Sequence, residues 1–336
     1  MAKISIMGAG SWGMALAILL SNSGYEVGIW SALEDEVRML DQTRQSPGKL
    51  PGIILPDQIR VTGDAELLLK DADIVVMAVP SVFTRSTSAA LSRYVREGQI
   101  IVDVAKGIEA DTLMTLSQII SQEIPQAEVC VLSGPSHAEE VSRGIPTGLV
   151  VACEDRQLAE RIQDAFASVR LRVYSSPDVV GAELGGALKN VIALCAGIGD
   201  GMGYGDNARA LLMTRGLTEM ARLGMAMGSR PETFAGLTGV GDLIVTCCSH
   251  HSRNHSAGVL IGQGKTPEQA MAEVGAVVEG YYCARSALEL ARRAGVEMPI
   301  AEQAYEVLYH GKSAQKAIKG LMLRQKTAEI EDAGWS

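Results

Sequence analysis

The first half of the chain alternates short apolar runs with stretches of helical periodicity. Each run is rich in β-branched residues, is bounded by turn residues and has the length of a strand. Such runs with helices between them predict a mainly parallel sheet covered on both faces. The predicted strands are Ile4–Met7, Val27–Trp30, Ile74–Val79, Ile100–Val104, Val129–Leu132 and Gly148–Cys153. Residues 44–59 carry three prolines and two glycines and are predicted to form a loop.

The pattern changes near residue 180, and from there onward we find helical stretches without a convincing strand. Glycine and proline separate these stretches. The predicted helices are Val179–Gly199, Ala208–Gly228, Pro231–Leu237, Thr266–Val274, Tyr281–Ala294 and Ala301–Tyr309. The sequence therefore predicts an α/β domain in residues 1–180 and an all-helical domain in residues 181–336.

A glycine-rich segment, GAGSWG, directly follows the first predicted strand and opens a helix. It places Gly8, Gly10 and Gly13 in G-x-G-x-x-G spacing. In this context the first glycine permits a tight turn, the second lets the backbone approach a pyrophosphate, and the third lets the helix pack on the strand. An ordinary glycine turn is the alternative. The segment favours a Rossmann-type doubly wound sheet that binds NAD or NADP.

The residues at the end of the second strand do not distinguish NAD from NADP. A ribose-binding acid or a phosphate-binding arginine is expected there, but the chain has Ser31 and Ala32. Glu34 and Asp35 come later and are expected to open the next helix. Arg38 reaches a phosphate only if the loop bends favourably.

The segment ELGGALKNVIALC places Lys189 in an otherwise small and apolar helix. Its helical face is shared with Ala182, Gly185, Gly186 and Ala193. In one interpretation the small residues allow tight helix packing, and Lys189 extends its aliphatic chain so that its ammonium group lies in solvent. In the other, Lys189 points into a cleft as a proton donor or acceptor, with a pKa lowered by desolvation or a neighbouring cation.

Further polar segments follow predicted strands or interrupt the helical half. Lys106 comes directly after a strand, at the edge where open α/β sheets bind ligands. Serine, arginine and asparagine in a row are a suitable set for a phosphate, although such a run is more often solvated surface. The residues are Lys106, Gly134, Ser136, Asp242 in a predicted glycine turn, Ser252, Arg253, Asn254 and Glu279.

Composition narrows the function classes. The net charge is −9, which argues against a nucleic-acid surface but not against a local basic pocket.

Six cysteines are too few for a disulfide framework in a chain of 336 residues, and we expect a reducing cytoplasm. No targeting segment and no membrane span are predicted. The CCSHH segment at 247–251 lacks the spacing of a closed zinc site, so no metal is expected. His250, His251 and His255 are expected to be surface or loop residues.

Several long segments occur in the order of one known family. They are SGPS, GGALKNVIA, GIGDGMGYGDNARALLMTRGLTEM, GLTGVGDLIVTC, SRN and VVEG. With the glycine loop, they make the chain resemble the bacterial NAD(P)-dependent sn-glycerol-3-phosphate dehydrogenases over nearly its whole length. The resemblance implies interconversion of glycerol 3-phosphate and dihydroxyacetone phosphate, in the cell mainly reduction that supplies phospholipid synthesis.

The resemblance also implies roles for individual residues. Lys189 matches the proton-transfer lysine, and Lys106 matches a lysine that touches both cofactor and substrate. Further substrate contacts are implied for Gly134, Ser136, Asp242, Ser252, Arg253 and Asn254. Further cofactor contacts are implied for Ser11, Trp12, Ala138, Arg253, Val277 and Glu279. Ala32 stands where the family often has a basic residue, which weakens an expectation of strong NADPH preference.

Other functions stay open at this point. One is a related two-domain dehydrogenase acting on a hydroxyacid or a sugar phosphate, and another is a non-catalytic nicotinamide sensor. A membrane-bound flavin oxidase fits poorly, because no amphipathic anchor is evident. The sequence does not decide the oligomeric state, and a homodimer is one expectation.

Overall fold

A computed structural model describes residues 2–326 and 328–329. In these residues eight strands form one sheet in the order β3-β2-β1-β4-β5-β6-β7-β8. The strands are β1 Lys3–Met7, β2 Glu26–Trp30, β3 Arg60–Thr62, β4 Ile74–Met77, β5 Ile100–Asp103, β6 Glu128–Ser133, β7 Thr147–Ala152 and β8 Leu171–Ser176. All neighbouring strands run parallel except β6 and β7. The prediction of a mainly parallel, doubly wound sheet is confirmed.

Two strands were not predicted. β3 spans three residues at the edge of the sheet, too short for a period to appear. β8 is the other edge strand, and its exposed Arg172 and Tyr174 break the apolar run that marks the central strands. Both therefore lack the fully buried pattern on which the prediction depended.

Seven α-helices accompany the sheet in the described residues up to 178. They are α1 Ser11–Asn22, α2 Glu34–Thr43, α3 Ala65–Leu69, α4 Thr84–Leu91, α5 Leu116–Glu123, α6 Ala138–Val141 and α7 Arg156–Phe166. Buried side chains form one core cluster with α1 and α7 on one side of the sheet and a second with α4 and α5 on the other. The predicted loop at 44–59 contains no helix or strand.

The described part of the chain after residue 178 is helical throughout. Its helices are α8 Val179–Gly201, α9 Asp206–Ala226, α10 Pro231–Ala235, α11 Asp242–Cys248, α12 Arg253–Gly262, α13 Pro267–Val274, α14 Glu279–Ala294, α15 Pro299–His310 and α16 Ala314–Met322. A π-helical turn, Leu237–Gly241, leads into α11. The expected glycine turn at Asp242 is therefore wrong, because the glycines lie inside a continuous helical path.

Helix α8 is the centre of this second core. Side chains from α9, α11, α12, α14 and α15 pack around it. One helix of the described chain, α8 itself, is long and apolar enough to cross a membrane, but 83% of its most apolar window is buried inside the fold. Its apolar composition thus serves the packing of the helical half, and it carries Lys189 into the site.

Candidate active site

The glycine loop after β1 has the geometry that a dinucleotide turn needs. Gly8 adopts a φ of +131°, which favours glycine, and its amide donates to Trp30 O at 3.0 Å. A Cβ on Gly13 would lie 2.1 Å from Gly8 O, whereas one on Gly10 would meet no atom within 4 Å. The backbone of Gly10 is therefore open, and Ser11 and Trp12 begin α1 with free first-turn amides. This loop fits the pyrophosphate of a nicotinamide dinucleotide.

The end of β2, where the adenosine ribose is expected, holds a buried acid that sequence reasoning missed. Ser31 Oγ donates to Glu36 Oε2 at 2.6 Å, and Lys49 forms an ion pair with the same carboxylate. Ser11 Oγ donates to the carbonyl of Lys49 at 2.6 Å, which ties the 44–59 loop to the glycine loop. Ala32 is exposed beside this cluster. Charges of both signs thus stand near the ribose position.

Lys189 lies on α8 and is only 6% exposed. Its Nζ donates to Asp242 Oδ1 at 2.6 Å and to Thr246 Oγ1 at 2.7 Å. The interpretation in which this lysine reaches solvent is therefore wrong. Asp242 and Thr246 are one helical turn apart on α11, so both face α8. That spacing was the signal that could have identified Thr246.

Lys106 meets the same carboxylate from the sheet side. It follows β5, and its Nζ donates to Asp242 Oδ2 at 2.7 Å, to Gly134 O at 2.8 Å and to Ser136 Oγ at 3.4 Å. The carboxyl ends of β5 and β6 thus meet the helical half at one point. Ser136 Oγ also donates to Gly134 O at 2.8 Å, which positions the hydroxyl at this edge.

The glycine pair in α8 permits this close approach. A Cβ on Gly185 would lie 2.2 Å from Thr238 O in the π-helical turn, and one on Gly186 would lie 3.3 Å from Lys106 Cγ. Any larger residue would push α8 away from the strand ends and from α11. The small face noted in the sequence therefore positions Lys189 rather than serving packing alone.

The three charges perturb one another. Desolvation, together with the nearby Lys106, lowers the pKa of Lys189 to about 8, although Asp242 partly opposes this change. Burial alone would raise the pKa of Asp242, but the ammonium groups of Lys106 and Lys189 hold it below its ordinary value. A lysine with a pKa close to neutrality can both give and accept a proton at physiological pH.

The serine-arginine-asparagine run begins α12, and its members differ in availability. Ser252 is the buried N-cap, and its Oγ accepts from His255 N at 3.2 Å. Asn254 bridges two helices, since its Nδ2 donates to Asn190 Oδ1 at 2.9 Å and its Oδ1 accepts from Gly280 N at 2.8 Å. Arg253 is exposed. Of the three side chains, the guanidinium is the one that solvent reaches most readily.

Glu279 links the helical half to the sheet. At the start of α14, its carboxylate accepts from Ser81 N at 3.1 Å and from Ser81 Oγ, just after β4. Burial raises the pKa of Glu279, and its hydrogen bonds to Ser81 and the charge of Arg253 oppose this. Val277 lies two residues before Glu279 and is half-buried. Ala138, buried at the start of α6, follows β6.

Two buried side chains near the site differ from what the sequence indicated or were missed there. His255, expected on the surface, is 7% exposed, and its Nε2 lies 2.7 Å from Asp200 Oδ2. Asp103 at the end of β5 is fully buried and was not singled out. Burial and the nearby Glu183 raise its pKa. A polar residue ending a buried strand was the signal that could have identified it.

The glycine loop, Lys106, Gly134 and Ser81 all lie at the carboxyl edge of the sheet, and α8 and α11 bring Lys189 and Asp242 to that edge. A sheet with such a loop, followed by a helical unit that supplies a buried lysine, is the arrangement of a two-domain nicotinamide-dependent dehydrogenase. Models of the NAD-dependent glycerol-3-phosphate dehydrogenase N-terminus and C-terminus match residues 3–159 and 178–319. The chain belongs to the NAD-dependent glycerol-3-phosphate dehydrogenase family.

Individual relatives agree with this assignment. A glycerol-3-phosphate dehydrogenase [NAD(P)+] of Agathobacter rectalis is 53% identical and covers 100% of both chains. One of Desulfitobacterium hafniense is 51% identical and covers 99% of this chain and 94% of its own. The crystal structure of glycerol-3-phosphate dehydrogenase from Coxiella burnetii superposes with a TM-score of 0.93 at 34% identity, over 96% of this chain and 99% of that one. The resemblance drawn from the sequence is confirmed.

Proposed function

We propose that the protein interconverts sn-glycerol 3-phosphate and dihydroxyacetone phosphate with NAD or NADP. The observation that carries this proposal is the contact of Lys189 and Lys106 with one buried carboxylate, Asp242, at the carboxyl edge of the sheet. When bound, the nicotinamide accepts or supplies the hydride. The chain's own groups manage the proton and the charge on the substrate oxygen.

Lys189 is assigned the proton transfer at the C2 oxygen. In the direction of reduction its ammonium gives a proton to the oxygen as the carbonyl becomes an alcohol, and in oxidation the neutral amine takes that proton back. Lys106 adds a second positive charge near this oxygen, which stabilises developing alkoxide character. Asp242 holds both amines in place and keeps their charges compatible with burial.

Recognition of the phosphate is assigned first to Arg253, with the first turn of α12 behind it. An exposed guanidinium beside a helix N-terminus suits a phosphate dianion. Ser252 caps α12 and Asn254 bridges two helices. We therefore assign both residues to holding the conformation of this turn as well as to contact with the phosphate. Gly134 and Ser136 are assigned to the glycerol moiety, close to Lys106.

On the cofactor side, Gly8, Gly10, Ser11, Trp12 and Gly13 are assigned to the pyrophosphate. Lys106, Ala138, Arg253, Val277 and Glu279 are assigned to the nicotinamide half. Lys106 follows β5, Ala138 follows β6, and Glu279 bonds to Ser81 after β4; Val277 and Arg253 are assigned with them from the family resemblance. The bond between Glu279 and Ser81 supports this, since it joins the two halves of the chain beside that edge.

The test is absorbance at the nicotinamide band with dihydroxyacetone phosphate, run in parallel with NADH and NADPH. We expect oxidation of the reduced cofactor, and at least about a hundredfold lower kcat/KM with dihydroxyacetone, which lacks the phosphate. The variant Arg253→Ala should reduce that preference, and the exposed Arg93→Ala serves as its control. Turnover of a hydroxyacid instead would favour another dehydrogenase. Cofactor binding without any turnover would favour a sensor.

The wider context is also a proposal. We place the protein in the cytoplasm, supplying glycerol 3-phosphate for phospholipid synthesis; its six cysteines, all free thiols, suit a reducing compartment. A homodimer is also part of this proposal, and light scattering would test it. The boundary at residue 180 is supported by the end of β8 at Ser176 and the start of α8 at Val179.

A further inference from the structure

Cys130 and Cys153 face each other across the antiparallel junction of the sheet. Cys130 lies within β6, and Cys153 directly follows β7. The register pairs Val131 with Ala152, so the next pair along the ladder is Cys130 with Cys153. Both are free thiols, and they are 0% and 5% exposed. Two thiols are therefore held opposite each other inside the core.

The hydrogen-bond pattern brings this pair close together. The amide of Cys153 donates to Ser176 O in β8 at 3.0 Å, so it points away from β6. Cys130 and Cys153 thus occupy a non-hydrogen-bonded position, where facing Cα atoms lie about 4.5 Å apart and Cβ atoms about 4.5–5.5 Å. A disulfide joins Cβ atoms about 3.5–4.5 Å apart. A small closing of the two strands is enough to join the sulfurs.

The two thiols are also chemically unequal. Interaction with the Cys130 thiol lowers the pKa of Cys153 to about 7, and the same interaction raises the pKa of Cys130. The thiolate is the reactive form of cysteine. Cys153 is also the outer member of the pair, since exposed residues 154–157 follow it at once. Its small exposed fraction favours a small oxidant.

We propose that Cys130 and Cys153 are a reversible oxidation site at which hydrogen peroxide produces a cross-strand disulfide. The Cys153 thiolate attacks one peroxide oxygen, the O–O bond breaks, and a sulfenic acid and hydroxide form. The Cys130 sulfur then attacks the sulfenic sulfur, the S–O bond breaks, and the oxygen leaves as water with the Cys130 proton. The protein is oxidised by two electrons, and the peroxide is reduced to water.

The other cysteines provide internal comparisons. Burial raises the pKa of Cys195 to about 12 and raises those of Cys247 and Cys283 as well. Cys248 is exposed. None of these four sits opposite another cysteine in the strand ladder of the described chain. They are expected to remain thiols under conditions that join Cys130 to Cys153, apart from direct oxidation of Cys248.

The experiment treats the folded full-length protein with hydrogen peroxide, alkylates the remaining thiols in denaturant, digests with trypsin and identifies peptides by mass. Cleavage after Lys106, Arg143 and Arg156 separates Cys130, in residues 107–143, from Cys153, in residues 144–156. We expect these two peptides to appear joined, with loss of both free thiols and recovery of both after dithiothreitol.

Two variants sharpen the test. Cys130→Ala should stop at the sulfenic acid of Cys153, which dimedone traps, and Cys283→Ala should form the disulfide like the parent. Full alkylation of both thiols after peroxide, in protein whose circular dichroism is native, would overturn the proposal. So would joined peptides from other cysteines in preference to these two. The parent protein alone gives this answer if Cys130→Ala does not fold.

Discussion

Lys189 Nζ lies 2.6 Å from Asp242 Oδ1, and the other oxygen of that carboxylate holds Lys106 at 2.7 Å. A single buried acid therefore positions two amines that approach from different halves of the chain. Two ammonium groups and one carboxylate leave a net positive charge where the substrate oxygen is expected. Burial, together with the charge of Lys106, lowers the pKa of Lys189 to about 8 against the opposing effect of Asp242.

Replacing the proposed proton-transfer residue tests its role directly. Lys189→Met keeps a long apolar stem on α8 and removes the amine, so we expect kcat to fall by about 10²–10⁴-fold. Cofactor binding, measured by fluorescence titration, should change little. The exposed Lys316→Met is the matched control. Turnover of Lys189→Met near that of the parent would contradict the assignment of Lys189 as the proton-transfer residue.

The pKa of Lys189 predicts opposite pH dependences for the two directions. Oxidation requires the neutral amine, so kcat/KM for glycerol 3-phosphate should rise with pH and level off above about 8. Reduction requires the ammonium, so kcat/KM for dihydroxyacetone phosphate should fall above the same pH. Steady-state profiles in both directions check this. A common rising limb in both directions would contradict the assignment.

Asp242→Asn should separate positioning from proton transfer. Loss of the carboxylate removes the interaction that raises the pKa of Lys189, so the limb of the oxidation profile should move below pH 8. Two ammonium groups would also lose their shared partner, and we expect a loss of about 3 kcal/mol in the free energy of unfolding. Urea unfolding measures this, with exposed Asp57→Asn as control. An unmoved pH limb would mean that Asp242 does not act through Lys189.

Asp103 provides a prediction about stability. Its pKa is higher in the folded protein than in the unfolded chain, so folding retains a proton, and the free energy of unfolding falls as pH rises above about 4. Asp103→Asn removes this dependence and keeps an acceptor for Ala105 N. Between pH 4 and 8 the free energy of unfolding of the variant should therefore increase relative to that of the parent, by at most about 1.4 kcal/mol per pH unit. Urea unfolding of both proteins at pH 4 and at pH 8 tests this. A difference in the free energy of unfolding between variant and parent that stays constant with pH would contradict the raised pKa of Asp103.

Cofactor choice can be tested at the end of β2. Ala32→Arg places a guanidinium where a 2′-phosphate is expected, so the ratio of kcat/KM for NADPH over NADH should increase roughly tenfold. Ala32→Gln adds length without charge and should leave the ratio near that of the parent. An equal increase in both variants would show that bulk rather than charge is responsible.

The sequence by itself determined the architecture and much of the site's chemistry. Buried parallel strands such as Ile74–Met77 appear as continuous apolar runs, because both of their faces are covered. The glycine loop was predicted because its spacing follows from local backbone geometry at Gly8 and Gly13. Lys189 stood out because a charged residue in an apolar helix needs a partner.

What the sequence could not supply was that partner. Asp242 is separated from Lys189 by 53 residues along the chain and from Lys106 by 136, and no local period reports such distances. The same holds for the buried cluster at Glu36 and for the pairing of Cys130 with Cys153, which depends on one antiparallel register. Only tertiary packing brings these groups into contact, and contact with burial is what sets their charges and pKa values.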